Sequence, residues 1–320
     1  MPFPSTFSLP VYMINYNSKN WLEAISHFNS SYVILRTFRL TLVMGLIASG
    51  IALVDHLFMP NFHLGIEPAI FSLLGLLLSL LLVFRTNTAY DRWWEGRKQW
   101  GALINHTRGL AVILHGMLRK EDQRNRNFFA GGISAYVLSL SDHLRDHENH
   151  SLIERYSEES PEVLRWYQHV PNKITRDMYE RTEELYKDGF IDGFQLNQIQ
   201  PELQEFLNIQ GACERIKATP IPFAHNFFIK LFVITYCSLL PFVLIPVVGW
   251  WTILTTMFAS YALLGIEFIS VEIEEPFGLD CNDLPTHNLA VKIEKNVHEI
   301  LEVELKEEEE EIKESYIVIK

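Results

Sequence analysis

Two clusters in this chain carry residue types that hold metals. His143 and His147 stand four apart, with Asp146 and His150 beside them. On a helix that spacing sets both imidazoles on one face, an arrangement that can ligate zinc. No third ligand follows at an obvious distance and the stretch is polar, so a solvated surface is the competing reading. The second cluster is Asp280 and Asp283, directly after Pro276-Phe277-Gly278. Paired carboxylates in a turn begin a Ca²⁺ site, but that ion takes six to eight oxygens. Leu279, Cys281 and Asn282 thin the cluster, and a capped turn leading into a helix explains it equally well. Enzyme signatures are missing: there is no Gly-rich phosphate loop, Gly-x-Ser-x-Gly or His-Glu-x-x-His. The chain is therefore not expected to be an enzyme and requires no cofactor, with Ca²⁺ the one candidate ion. A membrane-embedded metal-binding protein stands as the alternative.

The densest run of chemistry is residues 84–97, Phe-Arg-Thr-Asn-Thr-Ala-Tyr-Asp-Arg-Trp-Trp-Glu-Gly-Arg. It follows an uncharged apolar run, residues 69–83, and no Pro occurs between Pro68 and Pro161. One helix can thus leave a bilayer and continue into water unbroken. Within it Leu76, Leu80 and Phe84 recur every fourth residue and form one stripe. Around a symmetric oligomer the stripe becomes three stacked apolar rings, which can gate ions by dewetting. Any Leu-rich span carries such a stripe, so spacing alone leaves ordinary packing open. Ser72 and Ser79 suit close helix packing or a wetter mouth. Trp93 and Trp94 fall about two turns past Phe84, just beyond the bilayer. Arg92-Trp93-Trp94 therefore either couples the apolar helix to helices outside the membrane or forms an interfacial belt with Arg92 paired to Asp91. Tyr90 shares a face with these tryptophans, which favours packing between subunits.

The elements that must position these residues follow from composition. The chain has 320 residues, 48% hydrophobic and 21% charged, and a mean hydropathy of +0.06 that averages very apolar and very polar segments. Membrane helices need about 20 apolar residues. Four stretches qualify, near 40–58, 68–84, 227–248 and 250–271. Pro241 and Pro246 interrupt the third, which membrane helices tolerate when neighbours satisfy the freed carbonyls. Arg36 and Arg39 precede the first span and Arg85, Arg92, Arg97 and Lys98 follow the second, while the connection over 59–67 has no Lys or Arg. The positive-inside rule then places both termini and residues 85–222 in the cytoplasm. The first 30 residues lack a basic start and apolar core, so no signal peptide is expected.

Helices are predicted over 21–30 (interfacial), 127–144, 173–187, 201–217 and 290–304, with no sheet. Trp93, Trp94, Trp100, Leu103, Ile104, Leu110 and Leu114 recur at helical spacing after the second span. The expected division is 1–33 interfacial, 34–84 the first membrane pair, 85–222 the helical cytoplasmic region, 223–271 the second pair and 272–320 a cytoplasmic tail. That tail includes the acidic run Glu307 to Glu311, taken as solvated. Glu267, Glu272, Glu274 and Glu275 cluster at the end of the fourth span, where pairing with Arg85, Arg92 or Arg97 is expected because lone charges near lipid are expensive. Cys213, Cys237 and Cys281 imply no disulfide framework. A net charge of −12 and a pI near 5.5 argue against nucleic acid as a partner.

The motif Arg85-x-Asn87-x-x-Tyr90-Asp91-Arg92-Trp93-Trp94-Glu95-Gly96-Arg97-x-x-Trp100-Gly101 resembles the signature of bacterial bestrophin homologues. Ile221-Pro222-Phe223 before the third span and Glu275-Pro276-Phe277-Gly278 after the fourth resemble two further landmarks of that family. The likeness covers about residues 20–290. It implies an all-α membrane protein, a homopentamer with about four membrane helices per subunit continuous with a helical cytoplasmic domain. It also implies a central ion pore with Leu76, Leu80 and Phe84 as its neck. An apolar side chain on a later helix would form a second constriction, which counting back from Ile221-Pro222 sets near Phe194; an ordinary core position for Phe190 and Phe194 stays open. Eukaryotic relatives carry a calcium clasp where Asp280 and Asp283 stand. Permeant monovalent ions, membrane lipid and other copies of the chain are the implied partners. Acidic excess and the uncharged outer connection lean towards cations such as Na⁺, with a chloride-selective channel as the alternative.

Overall fold

A computed structural model describes residues 32–58, 67–146, 167, 169–280 and 282–305. The interfacial segment 21–30, the connection 59–66, His147, His150, Cys281 and the acidic tail lie outside the described residues. Everything described is helix, turn or irregular chain, with no strand among these residues.

The first helix, α1, spans Tyr32–Phe58. Two of its hydroxyls bond inside the helix, Thr37 Oγ1 donating to the Val33 carbonyl and Ser49 Oγ to that of Gly45, both at 2.7 Å, so these two stay paired in an apolar span. The second helix, α2, runs unbroken over Pro68–Met117, 50 residues, or about 75 Å at 1.5 Å per residue. Pro68 opens it in the first turn, where a missing N–H does no harm.

Four helices build the body beyond the membrane: α3 (Gln123–Leu144), α4 (Val170–Lys187), α5 (Gly193–Ala218) and α8 (Thr286–Leu301). Helix α5 starts eight residues before the expected Pro201, which sits inside it. The physical reason is a capping box: the Asp192 carboxylate accepts from the Gln195 N–H and the Gln195 side chain accepts from the Asp192 N–H, which outweighs a proline in the third turn. The last predicted helix is shifted towards its N-terminus. It ends at Leu301 because Glu302 takes φ +54, a left-handed stop.

Helices α6 (Phe223–Val248) and α7 (Thr252–Glu274) are joined by a single 3₁₀ turn, Gly249–Trp251. Gly249 reverses the chain at φ +57, a region only glycine enters freely. The two helices are antiparallel: Val243 and Ala259, near the turn, share one apolar cluster, and Asn226 and Glu274, near the ends, face each other.

One apolar core unites the polar body. Trp100, Leu103, Leu110 and Leu114 of α2 pack with Phe129 and Tyr136 of α3, Met178 of α4, Phe206 of α5 and Val297 of α8. Each fully buried side chain of this size contributes roughly 1.5–3 kcal/mol. A second cluster, Met44, Leu78, Leu82, Ile229, Val233, Cys237 and Leu264, binds α1, α2, α6 and α7 to one another. Helix α2 belongs to both cores, so the membrane bundle and the polar body form one unit. Cys213 and Cys237 are buried free thiols.

Candidate pore and its supports

The first half of α2 has two opposite sides. Phe71, Leu78, Leu82, Arg85 and Ala89 are buried against α6 and α7. At 3.6 residues per turn, Leu76, Leu80 and Phe84 fall on the reverse side, and they are 68%, 51% and 59% exposed. Three large apolar side chains thus point away from their own bundle. Leu77, beside the stripe, is also 49% exposed, because only the one narrow side of this helix is covered. Ser72 and Ser79 donate to the carbonyls of Pro68 and Gly75.

Continuing the stripe by 3.6-residue steps from Phe84 leads to Asn87 and Asp91, both exposed. Sequence reading missed Asp91, which it had treated only as a partner for Arg92. The 100° step would have revealed that it is the first charge below Phe84 on this stripe. Arg85 points the other way. It is fully buried, its Nη2 bonded to Glu274 Oε2 at 2.5 Å and its Nε 4.0 Å from Glu267 Oε2. The expected Arg–Glu pairing at the end of the fourth span is therefore present. Glu274 is further tied down by the Ile221 N–H at 3.0 Å and by Asn226 Nδ2 at 3.5 Å. Thr86 and Ser270 share a hydrogen bond at 2.8 Å. These contacts join α2, α6 and α7 just where the apolar spans end.

Seven residues further on, Arg92 reaches backbone rather than Asp91. Its Nε donates to the Glu274 carbonyl at 3.0 Å, and Nη1 and Nη2 donate to the carbonyls of Thr219 (2.5 Å) and Ile216 (2.7 Å). Those last two are carbonyls at the α5 C-terminus, where a cation meets the negative end of the helix dipole. One guanidinium thus links α2, the end of α5 and the end of α7. Trp93 Nε1 donates to the Asn282 carbonyl at 3.0 Å. Gly96 lets Phe277 and Leu284 approach: a Cβ there would lie 3.1 and 3.2 Å from them. Tyr90, Trp93 and Trp94 stack with ring centroids 6.1–6.5 Å apart, Tyr90 and Trp94 half exposed. The motif is thereby explained as the joint between the long helix and the chain after α7.

Phe194 is 84% exposed at the first turn of α5, and Phe190 just before it is exposed too; neither is a core residue in the single chain. Helix α5 runs antiparallel to α2, with Arg92 at Ile216 and His106 Nδ1 2.7 Å from Glu202. Phe194 therefore lies about 33 Å along α5 from Ile216, at the far end from the membrane.

Asp280 and Asp283 do meet, but as a turn. The Asp280 N–H donates to Asp283 Oδ2 at 2.6 Å, and the Asp283 N–H to the Asp280 carbonyl at 3.1 Å. Burial pushes the Asp283 carboxyl up to about 8, helped by Asp280 and Glu272 and opposed by the Asp280 N–H bond and Arg145. Burial raises Asp280 as well. Asp283 Oδ1 is buried and accepts nothing among the described residues. His143 sits in the last turn of α3. The residues it meets among those described are His169 and Glu214, from distant parts of the sequence.

A bundle of apolar helices, one of which extends into a polar body and turns a row of large apolar side chains outward, defines an integral membrane protein. Comparison with known proteins narrows the class. Residues 13–299 match the family described as Bacterial/Fungal Bestrophin protein, and the chain belongs to that family. A protein of Nostoc sp., named a voltage-dependent anion channel-forming protein, is 35% identical over 230 residues, 71% of this chain and 75% of that one. A Synechocystis protein of the same description is 28% identical over 287 residues, 88% and 92% of the two chains. The crystal structure of a bacterial bestrophin homologue from Klebsiella pneumoniae superposes with a TM-score of 0.77 at 26% identity, covering 85% of this chain and 100% of that one. These relatives are channel proteins rather than enzymes, in keeping with the absence of enzyme motifs.

Proposed function

We propose that the protein is a homopentameric ion channel of the bacterial inner membrane. Each subunit crosses the bilayer four times and keeps both termini in the cytoplasm. The observation that carries this reading is the row Leu76, Leu80 and Phe84, exposed directly opposite the buried side of α2. Five copies gathered around an axis give that row an occupant, namely one another, and form a neck that water fills only reluctantly. Below it a wide vestibule narrows again at Phe194. The gating link is the Tyr90-Arg92-Trp93-Trp94 joint, through which movement of α5 or of the chain after α7 reaches the neck helix.

For selectivity the proposal is cations such as Na⁺. Asp91 supports it: five carboxylates in a ring on the neck stripe would draw cations and repel anions. The names of the relatives support a second reading, chloride or another anion. Purified protein in planar bilayers under asymmetric NaCl decides between them. A reversal potential near that of Na⁺, weakened in Asp91→Asn, is expected; one near that of Cl⁻ replaces the first reading with the second. Calcium stays a narrower proposal. Asp283 Oδ1 is the oxygen left to ligate it, and a Ca²⁺ titration with Asp283→Asn as comparison tests the idea.

A further inference from the structure

Three side chains from three helical elements converge in the body that packs on the second half of α2. His143 comes from the last turn of α3, His169 from the residue just before α4, and Glu214 from α5. Both imidazoles aim Nε2 at the same carboxylate oxygen, Glu214 Oε1, at 3.3 Å from His143 and 2.8 Å from His169. The two rings lie 4.3 Å apart by centroid. All three ligand atoms fall within 4.8 Å of one another.

From this we infer a divalent transition-metal site, of the kind zinc occupies, formed by His143, His169 and Glu214. Ligands at zinc's 2.0–2.1 Å bond lengths stand about 3.3 Å apart in a tetrahedral shell; His143 and Glu214 already stand at that separation, and the His169–Glu214 hydrogen bond, at 2.8 Å, opens slightly to admit the ion. Two imidazoles and one carboxylate are a borderline-soft donor set that suits zinc and not Ca²⁺ or Mg²⁺. Each side chain is about one-third exposed, so an ion can enter and a water can complete the shell. His169 Nδ1 is buried with no partner among the described residues, which leaves Nε2 as the ring's only outlet. Gln210 Nε2 donates to the same Glu214 Oε1 at 3.1 Å and to Asn172 Oδ1 at 2.7 Å, holding the carboxylate in place as outer partners of metal ligands do.

One cation stands nearby and opposes the ion: Lys217, whose Nζ donates to the His143 carbonyl at 3.2 Å and to Asp146 Oδ1 at 2.5 Å. The site has a mechanical meaning as well. Glu214 precedes by two residues Ile216, whose carbonyl Arg92 grips, so a bound ion would brace α3, α4 and α5 beside the joint to the neck helix.

The test uses full-length protein in detergent, stripped with EDTA and passed through gel filtration, then titrated with ZnCl₂ by calorimetry. One Zn²⁺ per chain is expected, with a rise in melting temperature. Binding should weaken at least tenfold in His143→Ala and in Glu214→Gln, and tighten in Lys217→Met. Should His143→Ala fail to elute at the wild-type size, Glu214→Gln, which keeps the size and most hydrogen bonds of the glutamate, carries the comparison. Wild-type protein that takes up no Zn²⁺, or uptake unchanged by Glu214→Gln, overturns the site and leaves a hydrogen-bonded histidine pair. Because binding is read without current, the result stands apart from the proposal that the assembly conducts.

Discussion

Arg85 is a side chain whose role depends entirely on what surrounds it. A guanidinium with no exposed surface, facing Glu274 and Glu267, is weak evidence for stability, since desolvation offsets much of the attraction. Removing one partner is another matter, because the remaining carboxylates stay buried and uncompensated. Arg85→Met should lower stability by about 3–5 kcal/mol, read as thermal unfolding in detergent, and the double change with Glu274→Gln should recover part of the loss. A double variant no better than the single one would mean the pair does not act as a unit. Asp283 makes a pH-dependent prediction. The folded chain keeps its proton up to about pH 8, while the unfolded chain releases it near the ordinary aspartate value of about 4. The stability this group contributes is therefore full below that lower value and lost as pH rises through the upper one. Asp283→Asn should melt a few degrees higher than wild type at about pH 9 and equal to it at about pH 4. A difference that does not change with pH would show that the buried carboxyl ionises freely.

At the scale of the element, α2 explains how one helix can be apolar span and scaffold together and, in the proposed channel, the neck as well. Its buried side changes partners along its length, from α6 and α7 to α3, α5 and α8, while its outward side in the membrane stays uncovered. Channel conductance separates the faces of the upper half. Leu80→Ala should wet the neck and raise single-channel conductance severalfold. Leu74→Ala, 40% exposed but about a third of a turn away from the stripe, should change it little. Equal effects at both positions would mean that the stripe does not line the pore. A joint was one of the two readings that residue types alone allowed for the motif around Trp93, and its partners were not legible. Arg92 binds main-chain carbonyls of residues 124 to 182 positions away, and a carbonyl leaves no mark in a sequence.

For the whole molecule, the exposed apolar row is a statement about assembly. Leu76, Leu80 and Phe84 lie within the apolar span, and Tyr90 and Trp94 carry uncovered aromatic surface on below it, where lipid no longer covers them. Native mass measurement of the detergent-solubilised protein should give five chains of 37.2 kDa each; a monomer would remove the shared axis on which the neck depends. The separation of Phe194 from the membrane, about 33 Å along α5, likewise matters only if copies of α5 meet at that end.

Hydrophobic runs, the absence of proline from 69 to 160 and the spacing of Leu76, Leu80 and Phe84 were readable in the chain because each is a local regularity. Helix periodicity and the length needed to cross a bilayer depend on neighbours in sequence and on nothing else. That is why the apolar helices and the unbroken α2 were anticipated; the charge pairing at the end of the fourth span was expected instead from the cost of lone charges near lipid. The tertiary structure alone decided which groups meet across the fold. It joined His143 to His169 and Glu214, took Arg92 away from Asp91, and left Asp91 facing outward beneath Phe84. Such meetings arise from the packing of helices far apart in the chain, and the sequence carries no local trace of that packing.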